Sequence, residues 1–337
     1  MSALSVIWFV LIAVLLIGYF ALDGFDLGAG VFYPFLAKDE RDRAIVRRAI
    51  GPVWDGNEVW LLTAGGALFA AFAPAYATSF SGFYLAIMLV LFGLIVRAVA
   101  LEFRAHDAEW ARLYDAMFFI GSFLPALLCG VAIGNVIGGV NINSHGDFVG
   151  SFFDLLNPFA LLCGALGLVH MLGQGSAWIA LKAPENAELG ASARKLRGVL
   201  APLEIALFAA ASVLFFAGVV PASHGAIEVK VLSAIFAVLF VAVTVGVRLA
   251  KTDLAALLFQ EAGCVGLVGI TAATLFPNLI NATTASYSVT IANAASSDLT
   301  LLIMLIIALI GVPIVLVYHV VTYRVFRGRL KQGDLTY

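Results

Sequence analysis

This sequence is short of charge. Only 12% of its 337 residues are Asp, Glu, Lys or Arg, about half the share of an ordinary soluble domain. Cysteine is nearly absent: Cys129, Cys163 and Cys264 stand singly in apolar runs, with no CxxC spacing. That excludes a metal knuckle or a disulfide framework and leaves three buried thiols acting as small hydrophobes. No Lys or Arg precedes Lys38, and no small-residue cleavage site leads into a soluble segment, so no cleavable leader is expected. There is no Walker loop and no GxGxxG in a strand–turn–helix setting to hold a nucleotide. A net charge of −2 without a basic segment gives no sign of a nucleic-acid partner.

What the chain has is apolar length. By composition 62% of it is hydrophobic, and its mean hydropathy is +1.03. The runs are continuous and lack the period-two alternation of a membrane β-barrel. They predict an all-α polytopic membrane protein, a single integral membrane domain over 1–337. Nine transmembrane helices are expected, near 5–24, 56–74, 77–97, 115–137, 155–181, 200–220, 229–248, 257–276 and 300–323. The second and third come from one uncharged run, Val59 to Val96, divided by a turn in FAPAYATSFSG around Pro74, Ser79, Ser81 and Gly82.

The basic residues orient these spans. Lys38, Arg41, Arg43, Arg47 and Arg48 follow the first span, and Arg97, Arg104 and Arg112 the third. Lys182, Arg194, Lys195 and Arg197 follow the fifth, Arg248 and Lys251 the seventh, and Arg324, Arg327, Arg329 and Lys331 the ninth. Of the 19, Lys230 alone falls in an even-numbered loop. The positive-inside rule places the N-terminus in the periplasm and the C-terminus in the cytoplasm. KDERDRAIVRR reads as a short surface helix with a solvated charged face. The outer segments NVIGGVNINSHGDFVGSFFD and PNLINATTASYSVTIANAASSD are polar; Asn281-Ala-Thr283 matches a glycosylation acceptor by chance.

Eighteen uncharged residues, Ser5 to Leu22, lead straight into DGFD, with Asp23 and Asp26 three apart. A charge at membrane depth costs at least about 2.5–3.5 kcal/mol. The second span opens GPVWDGNEVW, placing Asp55 and Glu58 on one helix face beside Trp54 and Asn57. Asp55 reads equally as a helix-terminal acid near the interface. Arg97 with Glu102 reads as a snorkelling interfacial pair. Glu204, after Pro202, reads as a first-turn acid, and Glu261 as a carboxylate near the headgroups. Basic partners are scarce inside the spans, so most of these acids are expected to hold protons, face water or meet a partner's charges. The orientation brings DGFD and Asp55 together at one cytoplasmic entrance.

His170 and His319 lie at a depth suited to an axial haem ligand, although a lone His on an apolar helix is more often a hydrogen-bonded core residue. His106, His145 and His224 sit in or near loops. GGALFAAFAPA and GVAIGNVIGGV read as sites of close helix packing.

GYFALDGFDLGAG, IGPVWDGNEVWLLTAGGALFAAF and SGFYLAIMLVLFGLIVRAVALEFR resemble subunit II of the cytochrome bd quinol oxidases, including the cyanide-insensitive branch. The likeness continues through FIGSFLPALLCGVAIGN, LLNPFALLCG and TLFPNLINAT. It implies a heterodimer with subunit I in the bacterial inner membrane, sometimes with a small single-helix accessory subunit. Such a complex oxidises quinol and reduces dioxygen to water with cytoplasmic protons. Two b-type haems and haem d are then ligated by subunit I, with no metal held here, and some relatives bind a structural quinone in subunit II. Asp26, Trp54 and Asp55 match family positions implicated in haem d stability and a proton route; Asp23, Asn57 and Glu58 extend that set. Arg97, Glu102, Glu204 and Glu261 are secondary candidates. The chain is shorter than long relatives around VVPASHGAIEV. A proton- or ion-coupled transporter and a structural scaffold are the rival readings of acids in apolar helices.

Overall fold

The computed structural model describes residues 1–219 and 227–331. Most of VVPASHGAIEV, with His224, lies outside them. The first helix, α1 (Ala3–Leu36), starts where the Ser2 hydroxyl accepts from the Ser5 N–H at 3.3 Å. It does not stop at its acids. Its 34 residues extend about 51 Å at 1.5 Å each, against a hydrocarbon core of about 30 Å. The span expected at 5–24 is only its first part. From Asp23 to Tyr33 every residue is buried, so this half is walled by protein on all sides.

The surface helix α2 (Glu40–Ile50) follows, capped by the Asp39 carboxylate on Asp42 N–H, with Ile45, Val46, Ala49 and Ile50 turned inward. Its charges are not all solvated: Arg43 and Arg104 both reach Asp115, and Arg104 also holds Glu40. The chain continues as α3 (Trp54–Ala71), α4 (Ala73–Gly82), α5 (Tyr84–Phe103), α6 (Ala111–Gly138) and α7 (Pro158–Lys182). Then come α8 (Glu188–Leu214), α9 (Ile227–Leu249), α10 (Asp253–Leu275), the short α11 (Ile291–Ala294) and α12 (Asp298–Val325). Among the described residues, eight helices are long and apolar enough to cross a membrane: α1, α5 to α10 and α12.

The second expected span is where the structure departs from the hydropathy reading. α3 carries Asp55, Asn57 and Glu58 in 18 residues and falls short of the others in apolarity. FAPAYATSFSG is not a turn but the helix α4, with Pro74 near its start. Proline has no N–H to donate, so it ends the hydrogen-bond ladder of α3 and suits the first turn of the next helix. α8 likewise begins twelve residues before the expected 200, because its polar opening turns rise above the apolar run.

The helices pack around α1, which touches α3, α6, α7, α10 and α12. Its crossing with α7 is backbone on backbone. A Cβ added to Gly28 would lie 1.8 Å from the Met171 carbonyl, and one added to Gly175 would lie 2.4 Å from Ala29 N. GVAIGNVIGGV behaves in the same way, with Gly130 and Gly134 pressed on α7. GGALFAAFAPA does not: Gly65 and Gly66 face open space beside exposed Leu62 and Phe69. α12 is peripheral, burying only Leu301 and His319.

The two expected outer loops close on each other. Strands β1 (Asn278–Ile280) and β2 (Val289–Thr290) pair antiparallel, and Val140 exchanges hydrogen bonds with Asn281 and Thr283. Asn281 is buried; it donates to the Ile137 carbonyl at 2.9 Å and accepts from Asn278 at 2.8 Å. It is a structural tie, not a modification site.

Replacing Gly28 by Ala should force α1 and α7 apart and cost about 1–3 kcal/mol. A thermal melt of the purified protein in detergent checks this, with Gly65→Ala, in open space, expected to melt like the parent.

Candidate functional site

Asp23 and Asp26 are three apart on α1, so they share a face. That face meets α3 and α5. Arg97, on α5, is fully buried and sends Nη2 to both Asp23 Oδ1 at 2.6 Å and Glu58 Oε1 at 2.5 Å. Glu58 keeps an open edge, with its side chain 23% exposed, whereas Asp23 has none. Asp26 lies beside this triad but takes a neutral partner. Asn57 Nδ2 donates to Asp26 Oδ2 at 2.7 Å and to the Leu22 carbonyl at 3.1 Å, while Tyr323 OH donates to Asn57 Oδ1 at 3.0 Å. Three carboxylates thus surround one guanidinium. Asp23 Oδ2, Asp26 Oδ1, and Arg97 Nε and Nη1 are buried without a hydrogen-bond partner.

Several expectations change here. Arg97 does not snorkel toward Glu102, which is exposed; the buried acids of α1 and α3 hold it more strongly than the interface could. Asp23 and Glu58 therefore do find a basic partner within the chain. DGFD sits inside α1, not at its end. Trp54 is buried in the first turn of α3, while Asp55 is exposed there and stands outside the cluster. The cap of that helix, Val53, makes no side-chain hydrogen bond, so Asp55 is a first-turn acid and not a cap.

Glu204 and Glu261 belong to a second group. Both lie within their helices, since α8 and α10 start earlier than hydropathy suggests. Glu204 is fully buried and takes the Gln260 amide at 3.3 Å, with His170 Nδ1 3.5 Å away. Glu261 Oε2 accepts from Gln174 Nε2 at 2.7 Å, so it is turned inward, away from headgroups. Tyr323 and Gln174 were missed in the sequence. Their signal was a lone polar side chain on an apolar helix, which periodicity does not rank.

The histidines have other work. Trp60 Nε1 can only donate, so His319 Nε2, 3.3 Å away, accepts, and Nδ1 carries the proton that goes to the Val315 carbonyl at 2.9 Å. His170 Nε2 lies 3.3 Å from Cys264 Sγ, and its ring is packed against Gly263. His106 and His145 are exposed. Nε2 of both His170 and His319 is thus taken up by a neighbouring side chain, whereas His170 Nδ1 has no hydrogen-bond partner.

An apolar cavity of about 510 Å³ adjoins the second group, reached by His170, Gln174 and Cys264 and walled by side chains such as Ile133, Phe159 and Phe208. These features define a multi-pass helical membrane protein with a charged core.

The sequence matches the family described as cytochrome bd terminal oxidase subunit II over residues 4–326. It is 36% identical to a probable cytochrome oxidase subunit 2 of Haemophilus influenzae, covering 97% of this chain and 95% of that one. It is 35% identical to the cytochrome bd-I ubiquinol oxidase subunit 2 of Escherichia coli K12, over 99% and 97%, and 33% identical to the cytochrome bd ubiquinol oxidase subunit 2 of Bacillus subtilis, over the whole of both. The solved bd oxidase of Geobacillus thermodenitrificans shares the fold, with a TM-score of 0.77 at 18% identity over 96% of this chain and 99% of that one. The chain belongs to the cytochrome bd terminal oxidase subunit II family. It is a subunit of an oxidoreductase complex and a multi-pass protein of the bacterial inner membrane, which sets the transporter reading aside. Membership implies a complex with another subunit, haem cofactors and quinol.

Replacing Arg97 by Leu should leave Asp23 buried without its cation, at a cost of about 3–5 kcal/mol. The expected result is a sharply lowered melting temperature, partly restored by adding Asp23→Asn. An unaltered melt for the single variant would contradict the geometry.

Proposed function

We propose that this chain supports the haem-bearing subunit I of a quinol oxidase that reduces dioxygen to water, and helps bring cytoplasmic protons to it. The observation that carries the reading is the excess of buried acid: three carboxylates against one guanidinium, one carboxylate open at its edge. Asp55, exposed one turn before Glu58, is the entrance. Asp26, whose Oδ2 accepts from Asn57, holds a proton at its unpartnered Oδ1. Asn57, itself held by Tyr323, keeps that carboxyl in place, Trp54 is buried in the first turn of the same helix as Asn57, and Arg97 fixes Asp23 and Glu58 around it. Glu102, exposed and apart, has no part in the route.

Two b-type haems and haem d belong, on this reading, to subunit I. The haems supply the electron transfer and oxygen reduction when the complex is assembled; this chain's residues position protons. The cavity beside His170 and Gln174 is of a size and apolarity to take a structural quinone. Nine crossings are also part of the proposal. The 18 residues of α3 give about 27 Å, close to a hydrocarbon thickness, and one membrane domain then has its N-terminus in the periplasm and its C-terminus in the cytoplasm. A small accessory helix is compatible with the open faces of α3 and α12.

Asp26→Asn in the intact complex should lower quinol-driven oxygen uptake by at least about tenfold while the haem spectrum stays complete; Asp55→Asn should have a smaller effect. Full uptake with full haem content in Asp26→Asn would sink the proton route. Loss of haem d from the spectrum would leave this residue a role in supporting subunit I alone.

A further inference from the structure

The group around Glu204 is not used by the route above, yet it is built from the same parts. Glu204 (α8), His170 and Gln174 (α7), and Gln260, Glu261 and Cys264 (α10) form one buried polar string. Four of its atoms are buried with no hydrogen-bond partner: His170 Nδ1, Glu204 Oε2, Gln174 Oε1 and Glu261 Oε1. His170, Gln174 and Glu204 are each at most 3% exposed. Orphaned buried groups of this kind cost free energy each, and a purely structural contact would have closed them.

The surroundings decide what the string can hold. α1 contributes Phe20, whose carbonyl takes Gln174 Nε2 at 3.0 Å, and beyond it Tyr19 and Asp23. α9 contributes Phe240, packed on His170 with ring centroids 6.0 Å apart. Lys230 lines the same cavity but lies ten residues along α9 from Phe240, about 15 Å. No described Lys or Arg forms an ion pair with Glu204 or Glu261. Two carboxyls and one imidazole without a cation reach net neutrality only with two protons shared among them. Leaving a net charge in the apolar interior is the costly alternative.

The string also approaches the first site. A Cβ on Gly24 would lie 2.3 Å from Gln174 Oε1, so the amide is seated against α1 one residue from Asp23. On the other side, Gly263 leaves the space taken by the His170 ring, whose Cε1 a Cβ would meet at 2.5 Å. Glycine on α1 and on α10 opens the two seats.

We infer that Glu261 and the His170–Glu204 pair form a second proton-holding site, joined to the Asp23–Asp26 site by the Gln174 amide. The step is transfer of a proton between carboxyl, imidazole and carboxyl, with no bond to carbon made or broken. Gln174 is a positioning residue: it holds Glu261 with its N–H and faces α1 with its oxygen. This inference rests on the proton-handling reading of Asp26.

The test is redox-induced infrared difference spectroscopy of the intact complex in H₂O and D₂O, with proton uptake followed by a pH dye. Glu261→Gln, close to isosteric, should delete one deuterium-sensitive carboxylic C=O band and slow proton uptake about tenfold with the haem spectrum unchanged. Glu204→Gln should perturb the same band set and decides the matter if Glu261→Gln does not assemble. Gln174→Leu should keep the Glu261 band but slow uptake. If Asp26→Asn alters the bands and uptake while both Glu variants match the parent, the second site is refuted and the first stands. If Asp26→Asn also matches the parent, the underlying proton reading fails with it.

Discussion

A guanidinium with no exposed surface governs the centre of this bundle. Arg97 is anchored on α5, and its two carboxylate partners come from α1 and α3. An unpaired cation there would cost several kcal/mol, so the three helices are fixed relative to one another by the need to satisfy it. The remaining acid, Asp26, is what one cation cannot serve. It is given an amide from Asn57, itself held by Tyr323 of α12. Peripheral α12 is thereby tied to the charged core by one phenol as well as by the His319–Trp60 contact.

The second constraint is how closely α7 can lie on α1. Gly28 and Gly175 let the two backbones touch. That crossing seats Gln174 against Gly24, one position along α1 from the Arg97-bound Asp23, so one helix has polar chemistry on two faces. The all-round burial of Asp23 to Tyr33 follows from this. α1 is both the longest of the described helices and the wall shared by two buried clusters, which is why its second half can carry two carboxylates and still sit deep.

Much of the fold was legible because apolar length is a property of single segments. The eight apolar helices, α2 and the two long polar loops all follow from hydropathy and charge placement. What hydropathy could not rank was any helix whose polar residues are paid for by partners distant in sequence. α3 fell below the rest because Asn57 and Glu58 are satisfied by α1, α5 and α12. α1 looked shorter than it is because a window ends at the first charge. Glu204 and Glu261 looked superficial for the same reason, their helices starting in polar turns. The residue types of the site were visible as acids in apolar runs; their pairing was not. Arg97 sits 39 residues from Glu58 and 74 from Asp23, and nothing local in LIVRAVALEF distinguishes a buried arginine from a snorkelling one.

The buried charges ask for more than packing as their reason. Buried ion pairs and triads contribute little net stability, since the desolvation of each charge offsets most of the attraction gained. Well-packed apolar side chains of similar volume often do as well or better. Here the interior keeps Arg97, Asp23, Asp26 and Glu204, with buried polar atoms left without partners on each. Packing alone gives no reason for such an arrangement in a chain otherwise so poor in charge. The proton carriage proposed above would supply one, because a carboxyl that must take up and release a proton needs a free oxygen and a neutral companion more than it needs a strong ion pair.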